Sequence, residues 1–255
     1  FFLLCFFLIF KSVNANEPFL FNVTEIEILE DGNQINGFKG GTATAEDGST
    51  ITAENFFYNK LTNILETTGN VKYLDKTKNI VITTDKAIYL KNEEKIFTTG
   101  NSKAFNDDNT ITASNLEYDK IKNIFETTGN VKYLDKTKNV VITTDKAIYL
   151  KNEEKIFTIG NSKAVNDTNT ITASNLEYDK VKNIFEAKKN AVANDFKKDV
   201  TIYADEISYL KNENKIFTKG KTKALIENKY KFNSEDVSYY RNLGDLISQK
   251  KSTVE

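Results

Sequence analysis

Residues 71–100 (VKYLDKTKNIVITTDKAIYLKNEEKIFTTG) return as residues 131–160 with only two changes, Val140 in place of Ile80 and Ile159 in place of Thr99. A fold that needs every element to be unique cannot accommodate such a copy, so the repeat limits the architecture before any single residue does. The sixty-residue spacing divides again. The signature I-T-x-[DES]-x-x-x-Y starts at Ile51, Ile82, Ile111, Ile142, Ile171, Ile202 (where Tyr203 replaces the Thr) and, degenerately, Phe232, in steps of 31, 29, 31, 29, 31 and 30. Units of about thirty residues cannot bury an apolar face alone and gain a continuous core by stacking on their neighbours. Near-verbatim extension suits a function that scales with length better than one that needs a single catalytic constellation.

Within each unit polar and apolar residues alternate with period two, and β-branched and aromatic types dominate, which predicts strands throughout and no helical stripe. In Ile142-Thr143-Thr144-Asp145-Lys146-Ala147-Ile148-Tyr149 the apolar or small positions are the first, third, sixth and eighth, so the phase slips once near Asp145. Such a slip predicts a bulge or bend that re-aims the residues after it. It recurs at Asp85, Ser114, Ser174 and Asp205, whose side chains are expected to satisfy local backbone donors. After each Tyr a polar turn such as Leu150–Lys155 leads to an apolar pair, Ile156-Phe157, and then to a Gly-Asn step at Gly160-Asn161, which reads as a second hairpin corner. The step occurs at Gly69, Gly100, Gly129 and Gly160, shifts to Lys189-Asn190, and returns as Gly220-Lys221. The 29/31 alternation is expected from loops of alternating length at both ends of the strands.

Composition narrows the chemistry. The 255 residues contain no His, Trp or Met, one Pro, and one Cys at position 5, so much of the usual catalytic and metal-ligating vocabulary is missing. Carboxylates Glu117 and Asp119 lie close together but recur as Glu177 and Asp179 at the turn after a strand, where paired acids are ordinarily solvated, and no catalytic Ser or Lys motif accompanies them. An enzyme is therefore disfavoured and no cofactor is implied. Asp and Asn abound, yet no D-x-[DN]-x-[DN]-G run or calcium-binding nonapeptide repeat is present. A net charge of -1 with lysines mixed among acids, as in Asp75-Lys76-Thr77-Lys78, argues against nucleic acid and reads as solvated turns.

Phe1–Phe10 is an unbroken apolar run followed by Lys11, Ser12 and the small-residue stretch Val13-Asn14-Ala15, the pattern of an export signal over 1–15 with the initiating segment missing. Ten apolar residues fall short of the roughly twenty that span a bilayer. Leu4 before Cys5 is a poor lipid-attachment context. The mature segment, 16–255, has no cysteine, and its stability must come from packing.

The motif x-I-x-[AT]-[DES]-x-[ALI]-x-Y followed by I-F-x-T-x-G-N-[VSA]-K resembles the repeat of the OstA-like family, over roughly Val23 to Glu255. That family includes the lipopolysaccharide-transport proteins LptA, LptC and the N-terminal domain of LptD. The resemblance implies an all-β jellyroll of stacked antiparallel strands, built from units starting near residues 23, 51, 82, 111, 142, 171, 202 and 232. It also implies an apolar groove carrying the acyl chains of lipopolysaccharide across the periplasm, and partners drawn from other OstA-like proteins by edge-strand pairing. The last unit, Phe232–Arg241 leading into Ile247–Lys250, stops in mid-pattern, which favours an LptD-like domain continuing past 255 into an outer-membrane barrel with its lipoprotein partner. The missing cysteines depart from many LptD-like proteins and put disulfide-controlled assembly in doubt. A free-standing LptA-like bridge is the alternative.

Candidate groove residues are Ile82, Ala87, Tyr89, Ile111, Leu116, Tyr118, Ile142, Ala147, Tyr149, Ile171, Leu176 and Tyr178. The same residues would equally fill a closed core, and the phase slip leaves open which half of the set faces inward. A sealed structural β-solenoid with no lipid ligand would use the same repeat grammar.

Overall fold

The computed structural model describes residues 18–167 and 169–255; the export signal expected over 1–15 lies outside the described residues. The strands are β1 (Phe19–Leu29), β2 (Gln34–Ala45), β3 (Thr50–Ala53), β4 (Asn55–Asn59), β5 (Ile64–Asp75), β6 (Ile80–Leu90), β7 (Lys95–Phe105), β8 (Asn109–Asp119), β9 (Ile124–Asp135) and β10 (Val140–Leu150). They continue as β11 (Lys155–Asn166), β12 (Asn169–Asp179), β13 (Ile184–Asp195), β14 (Val200–Leu210), β15 (Lys215–Ile226), β16 (Tyr230–Glu235), β17 (Ser238–Tyr240), β18 (Asp245–Ile247) and β19 (Thr253–Val254). From β5 to β15 each strand pairs antiparallel with the next in one uninterrupted meander. Near the ends, β3 with β4 and β16 with β17 act as single strands broken in the middle. The all-β jellyroll of stacked antiparallel strands expected for the repeat is the fold observed.

The phase slip is the bend that closes this meander into two layers. In β10 the buried residues are Val140, Ile142 and Thr144 before the slip and Ala147 and Tyr149 after it, so the inner face stays inside as the strand turns its corner. The register shifts between Thr143 and Lys146 against β11, where three residues, Gly160, Asn161 and Ser162, oppose two, Thr144 and Asp145, to form a bulge. Gly160 (φ 82°) and Asn161 (φ 44°) are both left-handed, which explains why this site selects Gly then Asn. The expectation that Gly-Asn marks a hairpin corner is therefore corrected: it marks the mid-strand bend, and the hairpins lie at 76–79, 91–94 and their equivalents. The acidic residue at the slip faces the bulge but serves the asparagine side chain, with Asn161 Nδ2 donating to Asp145 Oδ2 at 2.8 Å and Asn101 Nδ2 to Asp85 Oδ2 at 2.8 Å. A backbone donor is satisfied in this way at Gly220, whose N–H bonds Asp236 Oδ1 at 2.8 Å.

Hairpins gather at two rims. One rim carries the turns 46–49, 76–79, 106–108, 136–139 and 196–199, the other the turns 60–63, 91–94, 120–123, 151–154, 180–183 and 211–214. The second set is uniform at four residues, because Phe125 is paired with Tyr118 just as Ile96 is with Tyr89. Phe125 is thus the counterpart of buried Ile96, not of outward Phe97, and the 29/31 alternation resides entirely in the first rim.

Small and hydroxyl side chains line the inner face at the bend, where the layers converge. Thr158 Oγ1 donates to Ser162 Oγ at 2.6 Å and Thr98 Oγ1 to Ser102 Oγ at 2.7 Å, satisfying hydroxyls that burial would otherwise penalise. Toward the rims the inner residues become large. Tyr118 stacks on Phe125 at 4.5 Å and Tyr178 on Phe185 at 4.4 Å, repeating the same ladder sixty residues on.

Candidate functional site

All twelve candidate groove residues are buried and belong to one apolar cluster that runs from Phe19 to Tyr239. Ile82, Ile111, Ile142 and Ile171 lie on one half of their bent strands and Ala87, Leu116, Ala147 and Leu176 on the other, with Tyr89, Tyr118, Tyr149 and Tyr178 at the rim. Both halves of the set face inward, because the bend re-phases the alternation. The interior is full: a void of about 20 Å³ between Ile80, Ile111, Phe125, Tyr133 and Tyr149 has room for roughly one water.

What closes the interior is a polar seam where the two rims meet. Lys120, only 3% exposed, sits at the centre of one clasp. Its ammonium donates to Asp47 Oδ2 on the opposite rim at 2.6 Å and to Tyr89 Oη at 2.8 Å, and lies 2.8 Å from Glu94 Oε2 on its own rim. Tyr89 in turn donates to Glu94 at 2.5 Å, and Lys78 reaches across to the Lys120 carbonyl. Sixty residues on, Lys180 donates to Asn109 Oδ1 at 3.0 Å and lies 3.4 Å from Glu154 and 3.7 Å from Asp135. Asn109 also accepts from Tyr133 at 3.1 Å and donates to Tyr149 at 3.0 Å, while Tyr178 donates to Asp135 at 3.2 Å. In the third clasp Arg241 replaces the lysine, donating to Asp195 Oδ2 at 2.9 Å, Tyr209 Oη at 2.6 Å and Asn214 Oδ1 at 3.2 Å. Each clasp is four strands from the next, about 19 Å along the stack at the usual strand spacing.

Asp47 stays partly exposed in its turn, but other carboxylates of this seam do not. Asp75, Asp135 and Asp195 are buried and fold the turn after them by accepting backbone N–H groups, as Asp135 does from Thr137 at 2.9 Å and Lys138 at 3.0 Å. The expectation that the D-K-T-K runs are solvated holds for Lys76 and Lys136 and fails for the aspartates. Burial works to raise the Asp47 and Glu94 carboxyls, yet the Lys120 ammonium and further donors, Ser49 for Asp47 and Lys91 for Glu94, outweigh it and hold both below the ordinary range. Burial pushes the rim tyrosines Tyr89, Tyr149 and Tyr178 upward, with neighbouring carboxylates adding to the shift. Sequence inspection missed Lys120, Lys180, Asp47 and Asp135. The available signal was recurrence at the sixty-residue period, for Lys120, Lys180 and Asp135 two residues after a Tyr, a regularity that a free solvent face does not need.

Of the carboxylates weighed as catalytic, Glu117 accepts from Lys95 at 2.7 Å on the outer face and Asp119 caps its turn through the Lys122 N–H at 2.8 Å. Among the described residues no group of three or more His, Cys, Asp or Glu side chains is placed to hold a metal.

The interior is least covered at the two ends of the stack. Ile26 and Ile28 of β1 point to the inner side, opposite Gly37 and Ile35, and are 54% and 60% exposed. At the other end Tyr230 and Val254 are exposed on inward positions opposite Ile226 and Phe232.

No protein-family model and no curated protein matches the sequence. Among solved structures, the chain is similar to LptH of Pseudomonas aeruginosa, the LptA-homologous periplasmic component of the lipopolysaccharide transport device, at 16% identity and a TM-score of 0.42, over 45% of this chain and 85% of that one. It is also similar to the TCP10 domain of Danio rerio CPAP at 10% identity and a TM-score of 0.18, over 68% and 94% of the two chains. Neither similarity says what this chain binds.

Proposed function

We propose that this chain is an OstA-like periplasmic lipid carrier that conducts lipopolysaccharide by holding its acyl chains between the two layers of the stack. The observation that carries the reading is the continuous apolar interior: the inward positions of every unit join into one cluster, bounded along its length by a seam of hydrogen bonds and ion pairs. Each acyl methylene moved from water into such an interior gains roughly 0.8 kcal/mol. The recurrence of apolar inward residues in every unit keeps that gain similar from one position to the next, so that a chain is held without being trapped. With a void of about 20 Å³ the closed interior has no space for an acyl chain. Loading therefore requires the rims to part at the Lys120, Lys180 and Arg241 clasps. The exposed edges and inner residues at both ends suit continuation of the channel into another OstA-like domain by strand pairing, either as an LptD-like domain joined to an outer-membrane barrel or as an LptA-like bridge.

The full interior favours a second reading, a sealed structural stack. Saturation binding of lipopolysaccharide to the purified chain, followed by intrinsic fluorescence of its twelve tyrosines, separates the two. The carrier reading expects a saturable change, because the rim tyrosines lose their seam partners when the layers part. A flat response at lipopolysaccharide concentrations that saturate a known carrier would establish the sealed stack.

A further inference from the structure

The second clasp brings an amine, a carboxamide and an acid together in one sheltered place. Lys180 Nζ donates to Asn109 Oδ1 at 3.0 Å. With a carbonyl bond of ordinary length, the Asn109 Cγ atom then lies within about 4 Å of that nitrogen. Glu154 Oε2 stands between the two nitrogens, 3.4 Å from Lys180 Nζ and 3.2 Å from Asn109 Nδ2, which donates to it. The Tyr133 hydroxyl donates to the same carbonyl oxygen at 3.1 Å. Asp135, the other acid beside the amine at 3.7 Å, already accepts from Thr137, Lys138 and Tyr178, which leaves Glu154 the freer base. Asn109 and Tyr133 are both buried, so water does not compete for the carbonyl carbon.

Neither neighbouring clasp repeats this set. At the first, Asp47 takes the place of the carboxamide and forms an ion pair with Lys120 at 2.6 Å. A carboxylate anion resists attack by an amine. At the third, Arg241 takes the place of the lysine, and a guanidinium keeps its proton and is no nucleophile. The second clasp thus has the nucleophile, the electrophile, the proton carrier and the oxyanion donor within reach of one another, the arrangement that turns a slow reaction between two side chains into a fast intramolecular one.

We propose that Lys180 and Asn109 join in an intramolecular isopeptide bond, formed by the chain itself with Glu154 carrying the proton and Tyr133 holding the oxyanion. The Lys180 ammonium passes one proton to Glu154, and the freed amine adds to Asn109 Cγ while the carbonyl electrons move onto Oδ1, where the Tyr133 hydroxyl stabilises them. Glu154 hands its proton to Nδ2, the Cγ–Nδ2 bond breaks as the carbonyl re-forms, and the nitrogen leaves as ammonia. The ammonia takes up the second lysine proton and departs as ammonium. No oxidant, reductant or other reactant is consumed. The bond ties one rim to the other across 71 residues of chain. It does not depend on the carrier reading, but it shuts a clasp that loading has to open, so bonding and loading compete for the same clasp.

The test follows the intact mass of the full chain through a prolonged incubation at neutral pH. Expected is the loss of one ammonia, about 17 Da, and, after trypsin, a branched peptide that joins residues 104–120 to residues 164–182. Asn109→Ala and Lys180→Arg, the latter keeping the cation as the third clasp does, should retain the full mass. Glu154→Gln should slow the loss about a hundredfold, the usual scale for a removed general base. A wild-type chain that keeps its full mass would overturn the proposal. So would a loss that survives Lys180→Arg, which marks cyclisation of an asparagine on its own backbone, or one that Glu154→Gln does not slow. Saturating lipopolysaccharide should retard the loss. If the branched peptide forms at the same rate with and without it, the bond stands and the carrier reading fails. If lipopolysaccharide binds a chain that never loses ammonia, the carrier reading stands and the bond fails.

Discussion

Raising the pH above 10 is expected to unfold this chain abruptly, because its interior is closed over tyrosines. Tyr73, Tyr89, Tyr118, Tyr133, Tyr149, Tyr178, Tyr209 and Tyr239 are all buried, and burial is the leading cause that raises each of their pKa values above the ordinary 10. A tyrosine whose folded pKa is raised contributes its stability fully below pH 10, and that contribution disappears as the pH rises, since only the unfolded chain releases the proton. Each such group lowers stability by about 1.4 kcal/mol per pH unit once the unfolded form is ionised. Eight together approach ~11 kcal/mol per unit, comparable to the whole stability of a typical domain. Unfolding is therefore expected between about pH 10.5 and 11.5. Absorbance at 295 nm, followed beside far-ultraviolet circular dichroism, reads both events. The buried set should ionise only together with loss of the β signal. Smooth ionisation of all twelve near pH 10 with the dichroism intact would refute the closed seam, because it would mean that water reaches the rim hydroxyls in the folded state.

Four further variants draw on the same contacts. Gly160→Ala should destabilise by about 1–2 kcal/mol, since a left-handed backbone disfavours Cβ and the new atom would meet Asp145 Oδ2 at 2.5 Å. Lys189→Gly, at the equivalent step where a lysine already holds φ 66°, should stabilise by up to ~1 kcal/mol, both read by urea denaturation. Lys120→Met should lose roughly 1–3 kcal/mol at pH 7. Because Asp47 and Glu94 have depressed pKa values, their contribution is present above about pH 4.5 and lost progressively as the pH falls, so the gap between variant and wild type should narrow in acid. Leu116→Ala should cost about 2–5 kcal/mol, the range for a leucine deleted from a closed core, by thermal or urea unfolding.

Much of this fold is legible in the sequence because it is written several times. The thirty-residue unit, the strands and the bend at Asp85, Asp145 and Asp205 follow from period-two alternation that slips at the same place in each copy. The role of Gly-Asn is not legible, because a left-handed pair looks the same in a hairpin and in a bulge; only the partner strand's register distinguishes them. The twelve interior positions could be named but not oriented, since the rule that alternate residues share a face is reset by the bend between Ile142 and Ala147. The seam is hidden for a different reason. Lys120 meets Asp47 across 73 residues of chain, and a lysine beside acids in a polar turn looks solvated until the opposite rim arrives. The third clasp is hidden for a further reason, since residues 191–220 have diverged widely from 131–160 and Arg241 lies one residue out of the sixty-residue step from Lys180.

The measurement that tests the carrier account most directly is photo-crosslinking in lipopolysaccharide-exporting cells, with the reactive side chain placed at Leu116 on the inner face of β8 and at Glu117 on its outer face. The account expects lipopolysaccharide adducts at Leu116, and at the equivalent Leu176, with none at Glu117. An exported, folded protein that yields no adduct at either leucine would contradict it and leave a sealed stack of strands.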